Sequence, residues 1–270
     1  MRHSKLLALI AVIAALLIAA GCGTQSSLTG TAAKGAIRGA TVTVYELNSD
    51  GGRGDTLTTT VTGTDGGYSV VLGAYAGSVE VVITGGTYTD EATGTEVSLG
   101  AGDELRTFVA SVGPGQQVAV TALTTIAAAL ADENADQGLS IAIENANSEV
   151  ADEFGLGTDF DITAVQPDDL TQPAVADSGA LYGAVLAGIS EVAASNGLTP
   201  SEVLALLKDM AEDYTDGTFD GTNAAGDALT LATSLAPAAA DSGLETAIQN
   251  FLGSAENESG LTWIDLVFSF

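Results

Sequence analysis

Asp216, Thr218, Asp220 and Asp227 are the residues whose types and spacing come nearest to a chemical site. In Asp216-Gly217-Thr218-Phe219-Asp220-Gly221-Thr222-Asn223-Ala224-Ala225-Gly226-Asp227, oxygen-bearing side chains fall at positions 1, 3, 5 and 12 and a glycine at position 6. Calcium takes several oxygen ligands, and a loop with this spacing can wrap one ion. Two features depart from that pattern: Asn223 stands where an apolar residue normally packs, and Asp227 is one methylene shorter than the usual bidentate glutamate. Asp-Gly pairs also make ordinary turns. A plain connecting loop is therefore the favoured expectation and calcium the alternative; no other cofactor is implied. Three adjacent acid pairs, Asp152-Glu153, Asp168-Asp169 and Glu212-Asp213, invite a hydrolase reading. Glycoside hydrolysis needs two carboxylates facing across a cleft, whereas neighbours on a helix diverge, so solvated faces are expected.

Composition removes other chemistries. Cys22 is the only cysteine and His3 the only histidine. If the first 21 residues are removed, no imidazole remains, and serine–histidine catalysis and ordinary zinc sites go with it. No catalytic residue is assigned. Gly73 to Gly86 and Gly113-Pro114-Gly115 are rich in glycine but lack the lysine and the strand–loop–helix setting of a phosphate loop.

Cys22 itself has a context. Arg2, His3 and Lys5 form a basic start, Leu6 to Ala20 is an unbroken apolar run, and Ala19-Ala20-Gly21 are small. A run of fifteen residues fits a secretory signal and is short of the roughly 20 a membrane span needs. Ile18-Ala19-Ala20-Gly21-Cys22 resembles the cleavage box of bacterial lipoproteins, with Ala19 where leucine is usual. The resemblance implies a signal peptide over 1–21, lipidation of Cys22 and attachment to the cell envelope. Gly23, which is not the aspartate that retains enteric lipoproteins at the inner membrane, implies the outer membrane. Residues 22–33, small and polar, read as a flexible tether.

Past residue 21 there remain 35 acidic residues against five basic ones, Lys34, Arg38, Arg53, Arg106 and Lys208. A surface so negative repels phosphate backbones, so no nucleic-acid partner is expected. It also repels anionic headgroups, which leaves the lipid on Cys22 as the membrane contact. A protein or small-molecule partner stays unidentified. Solubility in a salty medium is the favoured reason for the charge.

Between 34 and 120 the chain alternates in short β-branched runs, among them Thr41-Val42-Thr43-Val44-Tyr45, Tyr68-Ser69-Val70-Val71-Leu72 and Val79-Glu80-Val81-Val82-Ile83. Turn residues separate them every 8–12 residues or so, the pattern of an antiparallel sandwich. Gly35-Ala36-Ile37-Arg38-Gly39-Ala40-Thr41-Val42-Thr43-Val44 and Thr64-Asp65-Gly66-Gly67-Tyr68-Ser69-Val70 resemble the carboxypeptidase regulatory-like domain, a transthyretin-like β-sandwich. Ala36 replaces the usual proline, and the second turn is one residue tighter. The resemblance implies a non-catalytic module and carries no site residues. Asp65 is expected to bond its own turn.

From Thr121 the period moves towards 3.6 and alanine replaces valine. Thr121-Ala122-Leu123-Thr124-Thr125 resembles the helix start that follows such sandwiches in bacterial surface proteins. Helices are expected over about 140–154, 177–196, 199–214, 224–236 and 242–252, with Thr199-Pro200-Ser201-Glu202 a strong helix start. Trp263 to Phe270 reads as a strand or helix docked on the core. The expected fold is α+β and segregated, with a β-sandwich over 34–120 and an α-helical bundle over 121–270. The expected role is a lipid-anchored, non-catalytic structural or interaction module of the cell envelope. The alternative is an envelope lipoprotein binding calcium or a small apolar ligand, in a pocket between the helices or at the junction of the two parts.

Overall fold

The computed structural model describes residues 25–229 and 242–267. The architecture is α+β. Ten strands come first: β1 (Ser26–Ala33), β2 (Thr41–Leu47), β3 (Arg53–Val61), β4 (Gly67–Gly73), β5 (Val79–Thr84), β6 (Thr87–Thr89), β7 (Glu96–Ser98), β8 (Glu104–Val109), β9 (Gln116–Gln117) and β10 (Val120–Thr121). The helices follow: α1 (Ala122–Glu133), α2 (Leu139–Glu153), α3 (Ser178–Ser195), α4 (Pro200–Asp213), α5 (Ser242–Leu252) and α6 (Trp263–Val267). Among the described residues no helix is long and apolar enough to cross a membrane.

One sheet runs in the order β3-β2-β5-β8 and is antiparallel throughout. In β2 the alternation works as a strand pattern should, with Val42 and Val44 buried and Thr41 exposed. Central β5 is covered on both faces: Val79, Val81 and Ile83 are buried on one, Glu80 and Val82 on the other. A second sheet is built on β1, which pairs antiparallel with β4 but parallel with both β9 and β10. An all-antiparallel arrangement therefore does not hold here. A short β6–β7 ribbon forms the third.

The expected tether over 22–33 is overturned for Ser26–Ala33, which is strand β1, with Leu28 and Ala32 fully buried. Small residues read as flexible, yet here they let backbones meet. A Cβ built on Gly30 would lie 1.8 Å from the Val118 carbonyl oxygen, so only glycine fits.

The boundary expected between 120 and 121 falls inside β10. Val120 and Thr121 pair with Ala32 and Ala33, and α1 begins at the next residue. Thr121 caps it: its hydroxyl accepts from Thr124 N at 3.2 Å, and the Thr124 hydroxyl accepts from Thr121 N at 2.8 Å. Buried residues form one continuous core across this point, from Leu28 to Leu266, and α1 packs against β8.

The later helices begin where their caps place them. Asp177 accepts from Gly179 N and Ala180 N at the start of α3. Glu202 accepts from Thr199 N at 2.7 Å at the start of α4. The helix expected over 224–236 is not formed at 224–229. There Asn223 accepts from Ala225 N and Asp227 N, and Thr222 bridges Ala228. A side chain that satisfies local N–H groups competes with helix formation. The rest of that span lies outside the described residues.

Candidate functional site

Lys34 is the most unusual side chain in the described structure. It is a lysine with 1 % of its side chain exposed, and burial of a lysine demands partners. β1 delivers it to the interior at the end of the strand. Gly35 then turns the chain at φ +62, pressed so closely on Thr89 that a Cβ would lie 2.4 Å from its carbonyl oxygen.

The partners come from two other elements. Strand β6 leads into Asp90-Glu91-Ala92-Thr93-Gly94, a tight loop closed by Asp90 N donating to Thr95 O and Gly94 N to Asp90 O, both at 2.9 Å. Helix α3 supplies Ser190. The Lys34 ammonium donates to Glu91 Oε2 at 2.8 Å, lies 3.4 Å from Asp90 Oδ2 and contacts the Ser190 hydroxyl. That hydroxyl reaches Glu91 Oε2 at 2.9 Å. Glu91 Oε1 accepts from Gly35 N at 2.5 Å, and Asp90 Oδ1 accepts from the amide and hydroxyl of Thr93 at 3.1 and 2.9 Å. The Tyr88 ring stands 5.4 Å from the ammonium.

The electrostatics follow from this packing. Burial works against the charged lysine, but Glu91 and Asp90 outweigh it and hold the ammonium well above its ordinary range. Burial pushes the Tyr88 phenol up to about 12, with Lys34 opposing. One cation faces two carboxylates, and hydroxyl and backbone donors make up the difference. A serine beside a lysine is also the pairing of a nucleophile with a base. Ser190 is however 1 % exposed, as are Lys34 and Asp90. A cavity of about 250 Å³, bordered by Asp65, Gln166, Asp168 and Asp169, touches the cluster at Glu91 and Gly35 and at none of Lys34, Asp90 and Ser190.

This cluster was not legible from the sequence. Its members are up to 156 positions apart, and no spacing rule joins them. The available signals were a lysine among so few cations and the Asp90-Glu91 pair.

The residues singled out for calcium are not gathered around one point. Asp216 Oδ1 accepts from Thr218 N and Oγ1, and Asp220 Oδ1 from Thr222 N and Oγ1, so each carboxylate closes its own turn. Asp227 contributes its main chain, donating to Asn223 Oδ1. The loop is anchored from below by buried Asp213, which accepts from Asp220 N and Gly221 N. Among the described residues no three His, Cys, Asp or Glu are grouped so as to hold a metal ion. Of the acid pairs, Asp152 and Glu153 are exposed, and Glu212 is exposed while Asp213 is buried. Asp65 does bond its own turn, accepting from Gly67 N at 3.0 Å. Cys22 lies outside the described residues.

A separate groove of about 440 Å³ opens between β8, α1 and α4. Leu99, Leu105, Ala129, Leu204, Leu207 and Ala211 give it an apolar floor, and Asp103, Glu104, Arg106, Asp132, Glu133, Lys208 and Glu212 a charged rim. Comparison with protein-family models, with curated proteins and with solved structures returned no match.

Proposed function

We propose that this protein is a lipid-anchored module of the cell envelope that acts structurally and not as an enzyme. The carrying observation is the closure of its most reactive-looking cluster. Lys34, Asp90 and Ser190 are sealed from solvent, each with a partner inside the cluster, which suits a clamp joining β1, the loop after β6 and α3. In this reading the β sheets form a transthyretin-like sandwich, supported by the Gly35–Val44 and Thr64–Val70 resemblance and by the antiparallel β3-β2-β5-β8 sheet. The anchor is the lipid on Cys22, supported by the basic start, the apolar run and the small residues before it. Several acyl chains hold a protein stably where one does not. Cys22→Ser is expected to leave the chain unprocessed or to release it from the membrane fraction. A variant processed and sedimenting like the parent overturns the anchor.

The groove between β8, α1 and α4 favours a second reading, a carrier of a small apolar ligand. An environment-sensitive dye should then light up on binding the full chain and be displaced in Leu207→Trp, which fills the floor. Equal fluorescence in both chains removes this reading.

A further inference from the structure

We propose that Lys34 and Asp90 condense into a side-chain amide, a covalent staple between the end of β1 and the loop after β6. The inference rests on the structural reading of the cluster and not on the anchor at Cys22. Three observations carry it. The amine and the carboxyl are held 3.4 Å apart (Nζ to Oδ2), each 1 % exposed, so water that would reverse the reaction is kept out. A second carboxylate, Glu91, accepts from the same ammonium at 2.8 Å and is positioned to move its protons. The third is a pair of donors, Thr93 N and Oγ1, already placed on Asp90 Oδ1, where negative charge would develop.

The two carboxylates divide the work by geometry. Glu91 is the nearer, and Gly35 N and the Ser190 hydroxyl fix both its oxygens. It takes a proton from the ammonium and passes it to Asp90 Oδ2. The freed amine lone pair then attacks Asp90 Cγ, and the oxyanion forms on Oδ1 against Thr93. A second proton travels from the nitrogen through Glu91 to Oδ2, the Cγ–Oδ2 bond breaks and water leaves. One ammonium and one carboxylate give one amide and one water, with no oxidant, reductant or co-reactant. Fixing both partners in contact supplies the entropic advantage that makes a normally slow condensation feasible. The ion pair is the ground state, so the reaction proceeds slowly and once per chain, after folding.

The wild-type chain decides the matter by mass spectrometry after denaturation and trypsin digestion. The expected product is a branched species lacking one water. In it the peptide ending at Arg38 is joined to Gly54–Arg106 through Lys34 and Asp90, with no cleavage after Lys34. Glu91→Gln, close in shape, is expected to fold, judged by circular dichroism, and to lack the branch. Peptides ending at Lys34 with no branched species beside them, in protein aged after folding, overturn the proposal. Dehydration confined to a single linear peptide, as in an aspartyl succinimide, overturns it too. A branch that maps to Glu91, or one that forms normally in Glu91→Gln, overturns the assignment of roles. None of these outcomes bears on Cys22 processing, which is read separately.

Discussion

Charged side chains in this interior meet either opposite charges or main-chain donors, as buried Asp213 does at Asp220 N and Gly221 N. Lys34 meets Asp90 and Glu91, and buried Glu80 takes Nε and Nη2 of Arg53 at 2.6 and 2.9 Å, with Arg106 Nη1 at 3.5 Å. Removing one partner of such a set leaves the others buried without compensation, which is costlier than replacing the whole set. Lys34→Met keeps much of the volume and removes the only cation of its cluster. It is expected to destabilise by about 3–5 kcal/mol, read from the midpoint of urea unfolding. Adding Glu91→Gln to Lys34→Met should restore part of the loss. A loss below about 1 kcal/mol, the range of an exposed pair, would show that Lys34 is not buried in this way.

At the scale of elements, the sequence marked helices by their caps. The start of α4 at Thr199 falls where N-capping chemistry put it, because caps act over three or four residues. Strands β2, β4 and β5 were equally visible, since alternation is local. What stayed hidden depended on distant contact. The segment 22–33 looked like a tether because nothing nearby shows that Val118 lies against Gly30. The 224–236 pattern looked helical because periodicity does not register that Asn223 captures the amides following it. The Lys34 cluster needed β1, the loop after β6 and α3 together, so no window of sequence contained it. Glycines in α3 make the same point testable. Replacing a helical glycine by alanine ordinarily stabilises by about 1 kcal/mol. At Gly183, however, the new Cβ would lie 2.2 Å from the main-chain oxygen of Asp168, which cannot rotate aside. Overpacking costs about 1–3 kcal/mol, and the 2.2 Å approach to a main-chain oxygen puts this site at the upper end, so Gly183→Ala should lose up to about 2 kcal/mol net in thermal or urea unfolding. Gly188→Ala meets Ile248 Cγ1 and Leu244 Cδ1, side-chain atoms that can yield further than a main-chain oxygen, and should lose less. The reverse order would mean that α3 does not pack on the 166–170 segment as described.

For the whole molecule, excess negative charge lies outside and a strongly apolar, tyrosine-bearing core lies inside. Tyr68, Tyr88, Tyr182 and Tyr214 are all buried. Tyr68 donates to Val118 O at 2.7 Å, and Tyr182 lies 2.7 Å from the Thr121 hydroxyl, so these rings tie sheet to loop and helix to strand. Burial raises all four phenols above their ordinary 10.0, Tyr88 to about 12. A phenol with a raised folded pKa keeps its proton in the native state while the unfolded chain releases it. Stability is therefore intact below the unfolded value and falls above it. Lys34, also raised from 10.5, holds its proton more tightly when folded and acts in the same direction at slightly higher pH. If Lys34 is acylated, the tyrosines alone produce the effect. Each phenol contributes up to about 1.4 kcal/mol per pH unit, so four together remove at most about 6 kcal/mol per unit. A domain of ordinary stability, about 5–15 kcal/mol, would be exhausted within about 1–3 units above pH 10. The expected result is a flat stability profile through neutrality, followed by one cooperative alkaline transition in which tyrosinate absorbance rises as circular dichroism is lost. If these four tyrosines instead titrate near pH 10 while circular dichroism holds, their rings are not in the core, and the packing of the sheets against α1 and α3 has to be redrawn.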